Sequence, residues 1–278
     1  MAFARKLYTW VNKFNLKTFG DAFRHLWKIF SEFGLHSSRI DVVFDLYTPG
    51  TTKSGERRRR SSGEETRTEI KHFEQPLPKL CEIKFNWSSD GNKVEFQQLF
   101  ISWMTEMYIE DKPVYLGGCH RYAEQENCYK ICDGIKTVIP ELQSALDEAD
   151  ERIMLHVNHA VRVDCFNTVL ICSRDSDVYV GAMYHFNLTW KGKGLSQIWM
   201  EDMGMFVALH DICDELGEEL VQMLPAVHSL TGCDTTSKIG TKSKAFAVMK
   251  TRMYPELKRF GSITAWMKSA HMLQNNFC

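Results

Sequence analysis

The stretch Val169-Leu-Ile-Cys-Ser-Arg-Asp-Ser-Asp177 decides how the chain is read. Its apolar, β-favouring first half, followed at once by small and acidic residues, predicts a buried strand that ends in a carboxylate-bearing turn. Asp175 and Asp177 then stand at the strand exit. In parallel α/β sheets ligands bind just beyond the carboxyl ends of the strands, so two acids there are candidates to hold a cation. Taken alone, the same residues also fit a solvated acidic turn.

Upstream, the pattern recurs. Ile40, Val42, Val43 and Phe44 form a short apolar strand ending at Asp45, a second candidate ligand, whereas Asp41 sits at the strand entrance and is read as structural. Before it, Phe19, Phe23, Leu26, Phe30 and Phe33 recur in steps of four and three, which predicts a packing helix over 17–34 with Gly34 as its stop. From Leu46 to Gln75 the composition turns to Thr, Ser, Gly, Glu, Lys and Arg. Lys53, Arg57 and Arg60 fall at i, i+4 and i+7, so on a helix they share one face, flanked by Arg58 and Arg59. That face suits phosphates; a solvated loop or a nuclear-import signal fits the charge equally. Residues 76–90 read as connector, and Phe96, Leu99, Phe100, Trp103, Met107 and Tyr108 define an amphipathic helix.

Closer to the central stretch, Glu141–Val161 is predicted helical with a break near Ser144. Glu148 and Asp150 are two residues apart, which on a regular helix diverges by about 200°. They can share a site only at a turn or a helix start, where acids also complement the helix dipole. Downstream come a strand near Ile198–Met200 and a helix over Val207–Leu230, interrupted before Pro225. Then Leu230-Thr-Gly-Cys-Asp234 delivers a further acid from a glycine-containing turn, and Ser237–Ala245 offers Gly240, Lys242 and Lys244 at a helix start. Backbone N–H groups and lysines placed so suit a phosphodiester, though an ordinary turn between helices has the same composition.

Composition narrows the function. The chain has 278 residues, a quarter of them charged, and a net charge of −1, so a polyanion must be met by a local basic patch and not by the whole surface. No apolar run reaches the roughly 18 residues of a membrane span. Nine cysteines at irregular spacing fit reduced thiols in the nucleus or cytosol better than a disulfide framework; the expected location is intracellular, the nucleus over the cytoplasm. No Gly-x-Gly-x-x-Gly or Walker sequence follows any predicted strand, which disfavours a nucleotide cofactor.

Taken in order, Arg39–Asp45, Lys53–Arg60, Glu148-Ala-Asp150, Ser173–Asp177 and Leu230–Asp234 before Ile239–Ala245 resemble the PIN-like and flap-endonuclease superfamily, and in particular PIN-like proteins that are mobile-element-associated or uncharacterised in animals. The resemblance implies an α/β fold with a mainly parallel central sheet flanked by helices. It implies a single domain over 1–278, with a basic arch-like segment over 46–75 and a helix-two-turn-helix-like segment over 225–255. It assigns metal ligation to Asp45, Glu148, Asp150, Asp175, Asp177 and Asp234, around two Mg²⁺ or Mn²⁺ ions. Lys53 and Arg57 would act near the scissile phosphate, while Arg58, Arg60, Gly240, Lys242 and Lys244 would bind nucleic acid. The implied partner is DNA with a single-strand/duplex junction, or RNA, and the implied activity is phosphodiester hydrolysis. The family's opening strand carries an additional aspartate, yet residues 1–20 contain no acid, so the first strand is expected to be missing. A catalytically defective module that binds nucleic acid or protein on the same scaffold is the alternative.

Overall fold

Thr18 starts the first helix. Its hydroxyl accepts from the Asp21 N–H at 3.1 Å, and Asp21 Oδ2 accepts from the Thr18 N–H at 3.1 Å, a reciprocal pair that satisfies donors a helix start leaves without partners. The Lys17 N–H also donates to Asp21, which with these bonds holds its carboxyl below the ordinary value. Helix α1 runs Phe19–Phe33 and stops at Gly34, as its phenylalanine spacing predicts. Phe19, Phe23 and Leu26 are buried, whereas Phe33 ends the face 43% exposed.

The computed structural model describes residues 13–46, 70–78, 89–108, 110–119, 127–144, 146, 148–202 and 204–231. Two compact units divide the chain, Met1–Ala149 and Asp150–Cys278.

In the first unit α1 is followed by β1 (Ile40–Val43), α2 (Asp90–Met107), β2 (Val114–Cys119), β3 (Asn127–Cys132) and β4 (Ile135–Val138), the sheet order being β1-β2-β3-β4. Helix α2 begins well before Phe96, because Ser89 and Asp90, read from sequence as connector, form its N-terminus. Its aromatic stripe makes the core: the Phe23 ring lies 4.8 Å from Phe96 and 5.5 Å from Phe100, both edge-on, the arrangement ring quadrupoles favour. Strand β1 is anchored by Arg39, which grips Asp41 with two 2.7 Å hydrogen bonds while its guanidinium lies 3.6 Å from the Tyr115 ring centre. Asp41 is thus structural. Gly118 lets β2 pass beside Phe44: at φ +86° a side-chain carbon there would come 2.1 Å from the Phe44 carbonyl oxygen.

The second unit takes up helix α3 (Ala149–Arg162) from its second residue. It continues with β5 (Thr168–Cys172), α4 (Ser176–His185), a π-helical turn (Phe186–Trp190), β6 (Gln197–Asp202), β7 (Met205–Ala208), α5 (Leu209–Leu216) and α6 (Glu218–Thr231). Ile171, Ile198 and Met200 of the sheet pack with Val178, Ala182 and Trp190 in one apolar cluster. Among these helices several polar side chains are buried, with Arg152 at 0% exposure and His156, His159, His185 and His228 all below a tenth. The His185 ring stacks on Trp190 at 5.4 Å, and burial holds its pKa down at about 4.

The expected mainly parallel central sheet is not what forms. Both sheets are mixed: β1–β2 and β5–β6 are parallel, while β2–β3, β3–β4 and β6–β7 are antiparallel. The physical reason is short connections, since a two-residue turn can join only antiparallel strands and parallel ones need a long crossover. Asp133 and Gly134, both at positive φ (51° and 71°), make such a turn between β3 and β4. Gly204, at φ 85°, serves the same purpose between β6 and β7.

Two further expectations change. Strand β5 is not buried throughout; it lies at the edge of the order β5-β6-β7, with Ile171 buried and Thr168, Leu170 and Cys172 exposed. The expected helix over Val207–Leu230 divides at Gly217, whose φ of 80° ends α5, whereas Pro225 sits inside α6. Among the described residues no helix is long and apolar enough to cross a membrane.

Candidate metal centre

The turn after β5 is built by its own side chains. Ser173 Oγ accepts from the Asp175 N–H at 3.2 Å, and Asp175, with extended backbone (φ −78°, ψ 129°), caps α4. Its Oδ1 accepts from the Asp177 N–H at 3.0 Å. An aspartate in this position is a favourable cap, and both acids complement the positive end of the helix dipole. Because Asp175 stands outside the helix, the divergence of helical i, i+2 positions does not apply. The cap instead turns Asp175 and Asp177 toward a common point.

Asp150 joins them from the first turn of α3. One carboxylate oxygen from each of Asp150, Asp175 and Asp177 lies within 4.8 Å of the other two. Oxygens bound to one Mg²⁺ at about 2.1 Å stand about 3 Å apart when adjacent and about 4.2 Å when opposite. Separations of up to 4.8 Å are therefore close to, and slightly wider than, that range. Three hard oxygen donors suit Mg²⁺, Mn²⁺ or Ca²⁺ and not a thiolate-seeking metal. Without a cation, each pair of negative charges at that separation repels by about 1 kcal/mol in a water-like medium and about 3.5 kcal/mol at an effective dielectric of 20. The three aspartates could hold a metal ion.

The structure thus brings together three of the six residues predicted as ligands. Asp45 and Glu148 belong to the first unit, where Asp45 has a task of its own. Its Oδ1 accepts from the Ala149 N–H at 3.0 Å, satisfying the first donor of α3, and its backbone carbonyl accepts from Gln97 Nε2 at 3.2 Å. Glu148 directly precedes the helix and is half-buried. Asp234, the arch cations Lys53 and Arg57, the flanking Arg58 and Arg60, and Gly240, Lys242 and Lys244 lie outside the described residues. So do most of the arch-like segment and all of the helix-two-turn-helix-like segment beyond Thr231.

Sequence reasoning missed His228. On α6 its Nε2 lies 2.5 Å from Asp177 Oδ1, and its side chain is 8% exposed against 29% for Asp177. The available signal was periodicity: Val221, Leu224 and His228 fall at i, i+3 and i+7, so the histidine occupies the buried face of its helix. A buried histidine there needs a polar partner.

Compared with known proteins, the chain matches no family model, no curated protein and no solved structure.

Proposed function

We propose that this chain is a divalent-cation-dependent nuclease that hydrolyses phosphodiester bonds in DNA, or in RNA, acting where single and double strands meet. The observation that carries the proposal is the convergence of Asp150, Asp175 and Asp177 from a helix start and a strand exit far apart in sequence. When bound, such an ion lowers the pKa of a water and stabilises charge on a phosphoryl oxygen. Asp150, Asp175 and Asp177 would hold it. The cap bond within the turn keeps two of them in place before any cation arrives. A second ion would call on ligands beyond these three, with Asp234 a sequence candidate in the same unit. The ordered resemblance to the PIN-like superfamily supports the substrate class. The basic run Lys53–Arg60 and the residues Gly240, Lys242 and Lys244 would supply phosphate contacts.

The test is cleavage of a labelled branched substrate by the purified chain in Mn²⁺. Hydrolysis that disappears with EDTA and in Asp175→Asn and Asp177→Asn supports the enzyme. A second reading, a non-cleaving binder on the same scaffold, is favoured by the use of Asp45 Oδ1 as a helix cap. Intact substrate together with binding that weakens steeply as salt rises would select it.

A further inference from the structure

We infer that His228 is a positioning residue for the cation site, holding the Asp177 carboxylate in one rotamer beside Asp150 and Asp175; this rests on the metal-binding reading above. The contact joins Asp177 Oδ1 to the Nε2 of a histidine that is more than nine-tenths buried. Asp177 is otherwise a first-turn helix residue whose carboxylate would sample several rotamers in water. Its backbone is fixed by the Asp175 cap and its side chain by His228, so both ends of the residue are tied.

The division of oxygens supports this role. Asp175 Oδ1 is occupied by the Asp177 N–H and Asp177 Oδ1 by the imidazole, while among the described residues Asp175 Oδ2 and Asp177 Oδ2 accept no hydrogen bond. Each carboxylate therefore spends one oxygen on the protein and keeps the other for a ligand. The imidazole itself is not one of the donors grouped around the site. Its place is that of an outer partner, and such partners typically change metal affinity by 10- to 100-fold when removed.

Helix α6 carries this ring beside two local departures from regular helix bonding. Pro225 has no N–H to give to the preceding turn, and the hydroxyls of Ser229 and Thr231 bond back to the carbonyls of Pro225 and Val227 at 2.9 and 2.7 Å. Back-bonding hydroxyls of this kind bend helices. His228 lies between these irregularities, with Val227 and Ala226 buried beside it. Helix α6 is thereby coupled to the cation through one side chain.

The experiment measures Mn²⁺ affinity by calorimetry for the full chain and for His228→Gln and His228→Leu, each checked for native circular dichroism. Glutamine carries its amide N–H at about the reach of imidazole Nε2; leucine keeps volume and loses the donor. The inference expects His228→Leu to bind Mn²⁺ 10- to 100-fold more weakly and His228→Gln to recover to within about threefold of wild type. Equal affinity for all three overturns it, as does an electron-spin-echo signature of directly bound imidazole nitrogen that vanishes in His228→Leu. If leucine prevents folding, the glutamine variant decides: affinity lowered more than tenfold in a folded His228→Gln overturns the positioning role. A wild-type chain that binds no Mn²⁺ would instead sink the metal site itself.

Discussion

Replacing Asp175 by asparagine separates its two jobs, capping α4 and contributing charge to the site. Asparagine caps a helix about as well as aspartate, so the bond to the Asp177 N–H survives. Removing the charge relieves repulsion with Asp150 and Asp177, each about 1 to 3.5 kcal/mol at separations up to 4.8 Å depending on the effective dielectric. Against this stands about 0.3 to 1 kcal/mol of lost interaction with the helix dipole. Because Asp175 is exposed, the water-like figure of about 1 kcal/mol applies to each of the two pairs, and in EDTA the variant should be more stable than wild type by about 1 to 2 kcal/mol. Asp175→Ala also loses the cap, costing about 1 kcal/mol, and should fall back to wild-type stability or below. In Mn²⁺ at a hundredfold its dissociation constant the order reverses, because wild type gains about 2.7 kcal/mol from binding and the variant gains little. Scanning calorimetry in the two buffers reads these differences as shifts of a few degrees. An asparagine variant that melts lower than wild type in EDTA would show that the carboxylates do not crowd one another. Equal Mn²⁺ shifts for both proteins would remove Asp175 from the ligand set.

Three further outcomes follow from other parts of the molecule. Burial holds the His185 pKa at about 4, below an unfolded value near 6.5, so only the unfolded chain gains the proton between these pH values. Stability is therefore lost as pH falls through that window, by about 3 kcal/mol in all, and urea denaturation should show that part of the loss absent from His185→Phe. Gly118→Ala forces a methyl group against the Phe44 carbonyl at a positive φ, and should cost at least about 2 kcal/mol, read as faster limited proteolysis of the first unit. Asp45→Ala should lose about 1 kcal/mol, while Asp45→Asn, able to accept from the Ala149 N–H, should stay within about 0.5 kcal/mol by chemical denaturation.

Local periodicity was sufficient for α1 and for the strand at Ile40–Val43, because their apolar spacing agrees with the faces they bury; at Thr168–Asp177 it placed the strand and the acidic turn but overstated the burial, since only Ile171 is buried. It failed where the deciding information was in turns. The Asp133-Gly134 turn carries a strand, β4, all of whose residues are exposed, so no apolar alternation announces it. Gly217, at positive φ, divides the segment Val207–Leu230 that composition alone presents as one long helix. The acids of the site were legible as strand-end and helix-start carboxylates, and the meeting of Asp150 with Asp175 and Asp177 agrees with that logic. Asp45 looked identical by the same criterion, yet its oxygen went to an amide N–H. His228 was hidden because a histidine on an apolar helix face says that it needs a partner without saying which.

The histidine that grips Asp177 is 51 positions further along the chain. Closing a span of that length is entropically unfavourable until the intervening layers have packed, so the assembled site is expected to form late in folding. During synthesis, which proceeds from the amino terminus, a growing chain would already carry all three aspartates while still lacking the residue that locks one of them. Cation capture by nascent chains halted at successive lengths would then report when α6 has left the ribosome and docked.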